Sequence, residues 1–569
     1  MPENFVKKIN QLYWVFFLFF VFLLFYKNHS VPLWDQDEAA YAGFAYQMQQ
    51  SGDWVTPQFI WSDIHRKPPL HFWLIAASYK IFGVNFFAVR FHSTLSILLV
   101  CLFLFYLGRP IFGTPLAQLA SLLMMGSLIT SIGKIAFTDS LLLLFETCAV
   151  LSLLRFLKTP NWNWCFLFWG TISLGMLTKG PPILILCGGL FVFLLIFHPD
   201  RKLLLKLHPW FFLPLSLSPI LIWGALAWQK DGGNFIRWFL DWYIFKRAKG
   251  EVVLVHEGKS GYFLLTFVIT LFPWFGYFLS GLIFNIQKIF HKDKLALFLF
   301  GWILFGWIFY ELVRSKLPMY ALGAYPALFY MCASTILFFS DSHKPLPWIL
   351  KLGTGLQILI FIGMGGGLCI GSFAASFKAP IPLPTITLMS LGVFVSLAGV
   401  LGTVLFLKRK IFLGLFCHLL CSFVFLFVAW TWIVPSLNTL LFTTKSVADA
   451  IEQLSLSQNL VLDLDSNLLH TRPVPSPTAS PLTKVIFGRD FGLPSLPFYL
   501  AQKNHPYQEV LNLEKLKTLL GSTTPHVFVF DQDRFNELKE FISSHAQKYQ
   551  IDGFIPDKGK PITFWIIGI

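Results

Sequence analysis

The chain has 569 residues, of which 55% are hydrophobic and only 13% are charged, and its mean hydropathy is +0.64. A soluble domain carries roughly 25% charged residues, so most of this chain must be solvated by lipid. The net charge of +15 does not indicate a nucleic-acid partner, because the basic residues lie mostly in short segments between apolar runs, where they set membrane orientation.

A membrane-spanning helix needs ~20 mostly apolar residues, and the chain contains thirteen apolar runs of roughly that length. They predict a polytopic helical protein whose least certain division is the short break at Lys179-Gly180-Pro181-Pro182. All eight cysteines lie inside apolar runs, without disulfide or metal-ligand spacing. The runs lie near 11–27, 86–107, 115–132, 138–157, 162–178, 181–198, 208–228, 261–286, 295–313, 318–340, 347–373, 383–407 and 411–434.

The connections between these runs predict the orientation. Every second connection is basic, and short basic connections remain in the cytoplasm. The protein is then predicted to lie in the cytoplasmic (inner) membrane. With an odd number of helices, its amino terminus is on the cytoplasmic side and its carboxyl terminus is on the outer side. The basic residues of this set are Lys7, Lys8, Arg109, Arg155, Lys158, Arg201, Lys202, Lys206, Lys288, Lys292, Lys294, Lys344, Lys351, Lys408, Arg409 and Lys410.

The connections predicted to lie outside are unequal in length. Two of them are long, at 28–85 and 229–260. The short ones contain cations, although the orientation rule disfavours cations there, so we expect this face to need positive charge. These cations are Lys134, Lys179, Arg314 and Lys316.

Residues 441–569 are more polar than the transmembrane part, 1–440, and predict a small α/β domain on the outside. Strand and helix patterns alternate in this region, around one loop rich in Pro, Ser and Thr. The strand-like runs are Leu460–Leu464, His526–Phe530 and Ile562–Ile569, the helical patterns are Leu513–Leu520 and Arg534–Tyr549, and the loop is Thr471–Thr483.

The first long loop carries charged residues at the starts of two predicted short helices. Asp37 and Glu38 begin an apolar pattern that ends at Ser51-Gly52, and a helix N-terminus favours negative charge. Lys67 is followed by two prolines that open the second pattern, and proline is favourable in a first helical turn.

Transfer of a group from a lipid phosphate requires two kinds of residue. A carboxylate takes a proton from the acceptor or holds a metal, and Asp37 or Glu38 fits that role. Cations stabilise the departing phosphate, Lys as a point charge and Arg as a two-pronged donor. The candidates for the second role are Lys67, Arg66, Lys179, Arg314 and Lys316.

Several motifs follow one another in residues 10 to 335 at consistent topological positions: Asp37-Glu38-x-x-Tyr41, Ser51-Gly52-Asp53-Trp54-Val55-x-Pro57, Lys67-Pro68-Pro69-Leu70, Phe82-Gly83, Thr138-Asp139, Leu177-Thr178-Lys179-Gly180-Pro181 and Ser315-Lys316-Leu317-Pro318-x-Tyr320. In this order they resemble the aminoarabinose-transferase and protein O-mannosyltransferase family. These relatives are membrane glycosyltransferases of the C-type fold, which act in cell-envelope processes such as lipid A modification.

The resemblance implies a polyprenyl-phosphate sugar as donor and inversion of the anomeric centre. It implies that Asp37 is the catalytic aspartate, with Glu38 beside it, and that Asp139 is a second acid facing the same cavity. It also implies that Lys67 and Tyr320 hold the donor phosphate. A divalent metal at Asp37, Glu38 and Asp139 stays open as the one candidate cofactor.

Two positions depart from the strict lipid A aminoarabinose transferases. Those enzymes carry Arg where this chain has Ala40, and an acid where it has Arg66. One phosphate contact and one metal ligand are therefore missing or rearranged. The sequence favours the broad family over the aminoarabinose enzyme itself.

Several candidates also have a structural interpretation. Asp35 is more consistent with a helix cap, and His71 with a core histidine, than with a metal ligand. Asp139 can form an ion pair with a neighbouring helix, while Lys67 and Lys179 can reach lipid headgroups. The remaining candidates are Glu146, which lies two turns beyond Asp139 on the same face, and the cavity residues Tyr41, His71, Arg247 and His256.

The sequence therefore predicts an integral-membrane inverting glycosyltransferase. Its donor is a polyprenyl-phosphate sugar, and its extracytoplasmic acceptor is a lipid A-like glycolipid, another glycan or a protein. The alternative is a transporter or lipid flippase, which also keeps ionisable residues inside a helix bundle but predicts inverted repeats and broken helices. A non-catalytic scaffold is a third interpretation.

Overall fold

The computed structural model describes residues 3–34, 37–59, 67–246, 258–290, 293–340, 348–376, 384–436, 444–454, 484–488, 493, 495–503, 505–522, 525–555 and 560–569. Several predictions lie outside the described residues. They are the roles of Asp35, Arg66, Arg247 and His256, the strand Leu460–Leu464 and the loop Thr471–Thr483.

Helices occupy every apolar run that the sequence predicts. In the described part of the chain, nine helices are long and apolar enough to cross a membrane, or ten if one bent pair is a single span. The predicted number of thirteen spans is therefore not confirmed. The main helices are Glu3–Phe25, Phe86–Tyr106, Thr114–Met125, Thr138–Lys158, Trp162–Lys179, Pro182–Phe197, Pro209–Asp231, Tyr262–Thr270, Phe275–Phe290, Lys294–Ile303, Tyr325–Phe339, Trp348–Ser376, Thr385–Leu407 and Ile411–Val428.

Two of the predicted runs are interrupted rather than continuous. The first divides into the helix Thr114–Met125 and the 3-10 helix Leu128–Lys134, which bend by 66° relative to each other. The second divides into Tyr262–Thr270 and Phe275–Phe290. Pro273 lies in that second break, and a proline removes a helical N–H donor.

Shorter helical segments complete the membrane part. Two of them matter for the site, because the π-helical turn Leu304–Ile308 extends one long helix and the 3-10 helix Pro318–Ala324 leads into another. The others are Arg109–Phe112, Lys202–Leu205, Asn234–Phe239, Leu240–Lys246, Phe309–Glu311, Ala429–Ile433 and Val434–Ser436.

The first long loop forms the two predicted short helices, Asp37–Ser51 and Leu70–Phe82. Their apolar faces are buried in one core that contains Phe44, Phe72 and Ile75. The same core includes Val485 and other residues of the C-terminal domain. These helices are therefore packed on a folded domain, which their local sequence pattern does not predict.

The C-terminal domain has a five-stranded sheet with the order β2-β1-β3-β5-β4. Strand β1 pairs in parallel with β2 and β3, while β5 pairs antiparallel with β3 and β4. The strands are β1 Lys484–Phe487, β2 Tyr507–Glu509, β3 His526–Asp531, β4 Gln547–Ile555 and β5 Lys560–Gly568, with helices at 444–454, Ser495–Gln502, Leu513–Leu520 and Gln532–Leu538 and a 3-10 turn at Lys539–Phe541.

Successive side chains of a strand point to opposite faces, and both faces of this sheet are buried. Val527 and Val529 of β3 pack in the core shared with the first long loop. Phe528 and Phe530 of the same strand pack in a second core with Leu516. One face of the sheet therefore packs on the first long loop and on the helices 444–454 and Ser495–Gln502. The other face packs on the helices Leu513–Leu520 and Gln532–Leu538.

One predicted element of this domain is wrong. The pattern Arg534–Tyr549 predicts a single helix, but the helix ends at Leu538 and the edge strand β4 begins at Gln547. β4 is ordered by its antiparallel pairing with β5, which a local helical pattern does not reveal.

Candidate active site

A buried ion pair fixes the start of the first short helix. Arg90 Nε and Nη2 each donate a hydrogen bond of 2.8 Å to the Glu38 carboxylate. The backbone N–H groups of Trp34 and Ala136 donate to the same carboxylate at 2.9 and 2.7 Å. Glu38 and Arg90 are 0% and 1% exposed. Glu38 is thus a fully engaged structural carboxylate, and Asp37 beside it is partly exposed.

Arg90 also organises the entry to the first long loop. Its guanidinium donates to the carbonyl oxygens of Asn28, Val31 and Pro32 at 3.2, 2.7 and 2.8 Å. A charge taken out of water must have such partners. Arg90 is not among the predicted site residues, although a lone arginine inside the apolar run 86–107 is a signal of a buried partner.

His71 connects the second short helix to the same place. Its Nε2 lies 3.1 Å from the carbonyl oxygen of Ala136, and its Nδ1 lies 3.0 Å from Nε2 of His92. Burial, followed by the nearby His92 and Lys67 charges, holds the pKa of His71 well below its usual 6.5. A neutral, hydrogen-bonded histidine of this kind is a core residue rather than a metal ligand.

Asp37 opens the first of these short helices, and Lys67 lies three residues before the second. The Tyr41 ring, one turn after Asp37, lies 5.1 Å from the His71 ring in an edge-on arrangement. Lys67 is buried and close enough to His71 to lower its pKa. Asp37 and Lys67 therefore lie at neighbouring helix starts, joined through Tyr41 and His71.

The segment Ala136–Asp139 links this region to a second polar group. Ala136 bonds Glu38 through its N–H and His71 through its carbonyl oxygen. Three residues later, Asp139 Oδ1 accepts a hydrogen bond of 2.5 Å from Lys179 Nζ. Both side chains are largely buried, at 12% and 13% exposed. The sequence leaves open an ion pair between Asp139 and a neighbouring helix, and the structure contains this pair, with Lys179 as the partner.

Lys179 also faces an aromatic ring. Its Nζ lies 5.6 Å from the centroid of the Tyr320 ring, an arrangement that attracts a cation. Tyr320 in turn lies 6.0 Å from the Tyr310 ring. The structure thus brings together Asp139, Lys179 and Tyr320. In the sequence, Asp139 and Tyr320 are 181 residues apart.

Lys316 lies just before the 3-10 helix that carries Tyr320 and is hydrogen-bonded to the second long loop. Its Nζ donates a hydrogen bond of 2.8 Å to the carbonyl oxygen of Gly258. Glu311 accepts from the N–H groups of Gly261 and Phe263 at 2.9 and 3.1 Å. These contacts fix the end of the second long loop against the segment that carries Lys316.

The other side of Lys179 is apolar. A Cβ atom on Gly180 would lie 3.2 Å from the Phe239 ring, so the second long loop packs directly on this turn. Phe235 belongs to the same apolar cluster, together with Leu177 and Trp223. Asp53 of the first long loop forms an ion pair of 2.7 Å with Lys230 beside this cluster, a contact that the sequence analysis missed.

The acids that the structure describes do not form a recognisable metal centre. Among the described residues, no group of three or more His, Cys, Asp or Glu side chains could hold a metal ion. Both oxygens of Glu38 already accept two hydrogen bonds each, so Glu38 does not fit as a ligand. We derive no catalytic step through a metal.

Comparisons with known proteins show what the chain is similar to. Residues 66–223 match the family described as dolichyl-phosphate-mannose-protein mannosyltransferase. The chain is 28% identical, over 326 residues, to undecaprenyl phosphate-alpha-4-amino-4-deoxy-L-arabinose arabinosyl transferase 2 of Proteus mirabilis (strain HI4320), covering 57% of this chain and 58% of that protein. A Yersinia pestis (strain Pestoides F) transferase of the same activity is 28% identical over 51% of this chain and 53% of its own.

The chain therefore matches these curated relatives over little more than half their length. Solved structures match more completely. The apo structure of ArnT from Cupriavidus metallidurans has a TM-score of 0.71 at 19% identity and covers 97% of both chains. Its complex with undecaprenyl phosphate has a TM-score of 0.69 at 20% identity, covering 100% of this chain and 98% of that one.

These matches confirm the fold and the relationship predicted from the motifs. The chain has the helical C-type fold of the polyprenyl-phosphate-dependent membrane glycosyltransferases, with a small C-terminal sheet domain. The family match covers the second short helix and the segment with Asp139 and Lys179.

Proposed function

We propose that this protein is an integral-membrane glycosyltransferase that moves a sugar from a polyprenyl-phosphate donor to an extracytoplasmic acceptor. The observation that carries the proposal is the ammonium of Lys179, held between the Asp139 carboxylate and the Tyr320 ring. Lys179 is a buried cation at the edge of an apolar wall, which suits a phosphate attached to a long hydrocarbon chain.

The donor lipid enters between helices and leaves its phosphate near Lys179, Lys67 and Lys316. Three cations from distant parts of the chain then surround the group on which negative charge develops. Preorganised charge of this kind stabilises a transition state more than a ground state. The apolar cluster of Leu177, Trp223 and Phe235 excludes water from one side of the phosphate.

Asp37 is the base of the proposed reaction. It accepts the proton of an acceptor hydroxyl while the hydroxyl oxygen forms a bond to the anomeric carbon. The bond from that carbon to the phosphate oxygen breaks, and its electron pair leaves with the polyprenyl phosphate. A single displacement of this kind inverts the anomeric centre. If the acceptor is already a phosphate anion, Asp37 orients it instead.

Glu38 and Arg90 serve this reaction indirectly. Their ion pair and the bonds from Trp34 and Ala136 fix the backbone from which Asp37 projects. We assign Glu38 as a positioning residue, not as a second base or a metal ligand.

The location follows the charge pattern of the connections. We propose a cytoplasmic membrane protein whose amino terminus is inside and whose site and C-terminal domain are outside. A lipid A-like glycolipid, another glycan or a protein is the acceptor, and the departures at Ala40 and Arg66 set this chain apart from strict aminoarabinose transferases.

A purified-protein assay tests the proposal. The detergent-solubilised protein is incubated with polyprenyl-phosphate sugars and membrane acceptors, and released polyprenyl phosphate is measured by mass spectrometry. We expect release with at least one donor, and Asp37→Asn to lower turnover by at least about 10²–10⁴-fold, the usual contribution of base catalysis.

Glu540→Gln is the matched control, because Glu540 is an exposed carboxylate of the C-terminal domain. It should keep full turnover. Unchanged transfer by Asp37→Asn would remove Asp37 from the mechanism. Translocation of the intact donor without any release of polyprenyl phosphate would instead identify a flippase.

A further inference from the structure

Glu146 is a buried acid that the proposed reaction does not use. It lies two turns from Asp139 on the helix Thr138–Lys158 and on the same face. Its side chain is 4% exposed. It points toward the segment that carries Tyr320, because a Cβ atom on Gly323 would lie only 2.7 Å from Glu146 Oε2.

Among the described residues, Lys179 is the one cation that acts on Glu146. No described residue donates a hydrogen bond to its carboxylate, and the charge that favours its ionised form comes from Lys179. Lys179 already forms the short ion pair with Asp139. Among the described residues, the titratable or charged groups that act on Glu146 or that it acts on are Asp139, Lys179, Cys187 and Tyr310.

The ammonium of Lys179 therefore lies near two carboxylates, those of Asp139 and Glu146, in a largely buried site. If both acids are ionised, the group of Asp139, Lys179 and Glu146 carries a net charge of −1. If Glu146 holds a proton, the group is neutral. In the free protein the ammonium of Lys179 favours the ionised form of Glu146 against the unfavourable effect of burial. A phosphate bound beside Lys179 adds an anion, which shifts the balance toward a protonated Glu146.

We propose that Glu146 takes up one proton from the solvent when the donor phosphate binds at Lys179, so that donor binding is coupled to protonation. This inference rests on the proposed function, since it needs a lipid phosphate at Lys179. The phosphate brings one negative charge beside Asp139, and the proton on Glu146 removes one. No covalent bond of the donor changes in this step.

The proposal predicts how affinity depends on pH. The probe is undecaprenyl methyl phosphate, a phosphodiester whose single charge is constant from about pH 6 to about pH 9, unlike a monoester with a second pKa near 6. For the wild type, we expect Kd to rise by up to about tenfold per pH unit at the alkaline end, the slope for one linked proton.

Glu146→Gln imitates the protonated acid and keeps its shape. Its Kd should be independent of pH over the same range and should be lower than the wild-type value at about pH 9. Glu540→Gln, a matched change at an exposed position, should keep the wild-type slope. If Glu146→Gln also keeps that slope, or binds more weakly at every pH, the proposal is wrong.

A second measurement uses only the wild type, in case the variant does not fold. Calorimetric titration with the same probe, in buffers of different ionisation enthalpy, counts the protons taken up on binding. We expect close to one proton at about pH 9, and none would overturn the inference.

The two proposals fail in different ways. Tight binding without proton uptake refutes only the role of Glu146. Proton-coupled binding without sugar transfer from any donor supports the role of Glu146 but refutes the transferase. Absence of binding at every pH refutes both.

Discussion

Arg90 donates a hydrogen bond of 2.8 Å to each carboxylate oxygen of Glu38 in a fully buried site. The helix that carries Arg90 begins 48 residues after Glu38. The pair joins the first long loop to the helix Phe86–Tyr106. Every acceptor and donor around it is used, since Arg90 also bonds three carbonyl oxygens. The residue that follows Asp37 is therefore among the most rigidly held in the loop.

Replacing Arg90 should destabilise the protein severely. Arg90→Leu leaves the Glu38 carboxylate buried without its counter-charge, a change that typically costs about 3–5 kcal/mol. The fraction of monodisperse protein after heating in detergent measures the effect. Arg201→Leu is the control, because Arg201 is exposed and its loss should change little. Equal heat resistance of Arg90→Leu and the wild type would show that the ion pair contributes nothing.

The sequence predicts the elements of this site more successfully than their contacts. Apolar periodicity is local, so the helices that carry Asp37, Lys179 and Tyr320 are predicted close to their observed bounds. The pairing of Glu38 with Arg90 joins residues 52 positions apart, and no local pattern encodes such a distance. For Asp139, the sequence left a structural ion pair as one alternative, and the structure supplies its partner, Lys179.

The same limit explains the incorrect helix at the C-terminal end. Residues beyond Leu538 have a helical pattern, yet Gln547 begins a strand whose partner is β5. Pairing with a strand that comes later in the chain overrides local propensity. Likewise, the sequence of the first-loop helices does not reveal how deeply they are buried, because their burial depends on the C-terminal domain, which contributes Tyr499 to the same core.

Lys179 should be essential for transfer but not for folding. Lys179→Gln removes the cation next to Tyr320, and loss of one preorganised electrostatic group typically lowers kcat by about 10²–10³-fold. Turnover in the polyprenyl-phosphate release assay measures it, with Lys539→Gln at an exposed position as the control.

A charge exchange separates this role from a structural one. The double variant Asp139→Lys with Lys179→Asp keeps an ion pair but moves the ammonium to the other helix. We expect it to insert and remain monodisperse without transfer activity. Recovery of transfer would mean that the pair only holds the helices together.

The buried His71 should make stability depend on pH. Its pKa is well below 6.5 in the folded protein because of burial, with His92 and Lys67 lowering it further. Above about pH 6.5 the residue is neutral in both states and contributes no pH dependence. As the pH falls below that value, the unfolded chain binds a proton that the folded protein does not, so the free energy of unfolding falls by up to about 1.4 kcal/mol per pH unit.

Thermal denaturation in detergent between about pH 8 and about pH 5 measures this slope. His71→Gln keeps hydrogen-bonding groups but does not titrate, so its loss of Tm at low pH should be smaller than that of the wild type. An identical decline in both proteins would assign the effect to other groups.

The hydroxyl of Tyr499 should hold the C-terminal domain on the first long loop. It accepts from the N–H of Leu33 at 3.0 Å and donates to the carbonyl oxygen of Leu33 at 3.3 Å. Tyr499→Phe leaves that buried N–H without an acceptor, at a cost of about 1–3 kcal/mol. Hydrogen exchange at Leu33 and along the helix Asp37–Ser51 should accelerate at least about fivefold. Tyr549→Phe, at a residue that is 42% exposed, should leave exchange unchanged.

Gly323 should be required for the shape of the site, because the site leaves no room for a side chain at this position. It lies in the 3-10 helix Pro318–Ala324 that carries Tyr320, and its carbonyl oxygen accepts a bond of 2.6 Å from Trp302 Nε1. A Cβ atom there would lie 2.7 Å from Glu146 Oε2 and 3.0 Å from Leu186. Gly323→Ala must therefore move either the buried carboxylate or the segment with Tyr320, because the interior is closely packed.

We expect Gly323→Ala to lower transfer by at least about tenfold, since small displacements of a preorganised site reduce the rate strongly. The matched control is Gly366→Ala in the helix Trp348–Ser376, where a Cβ atom would meet nothing within 4 Å. That change should keep turnover and raise helix stability slightly, because alanine favours a helix over glycine by about 1 kcal/mol. Full activity of Gly323→Ala would show that Tyr320 and Glu146 tolerate displacement, and the close contact would then have no functional role.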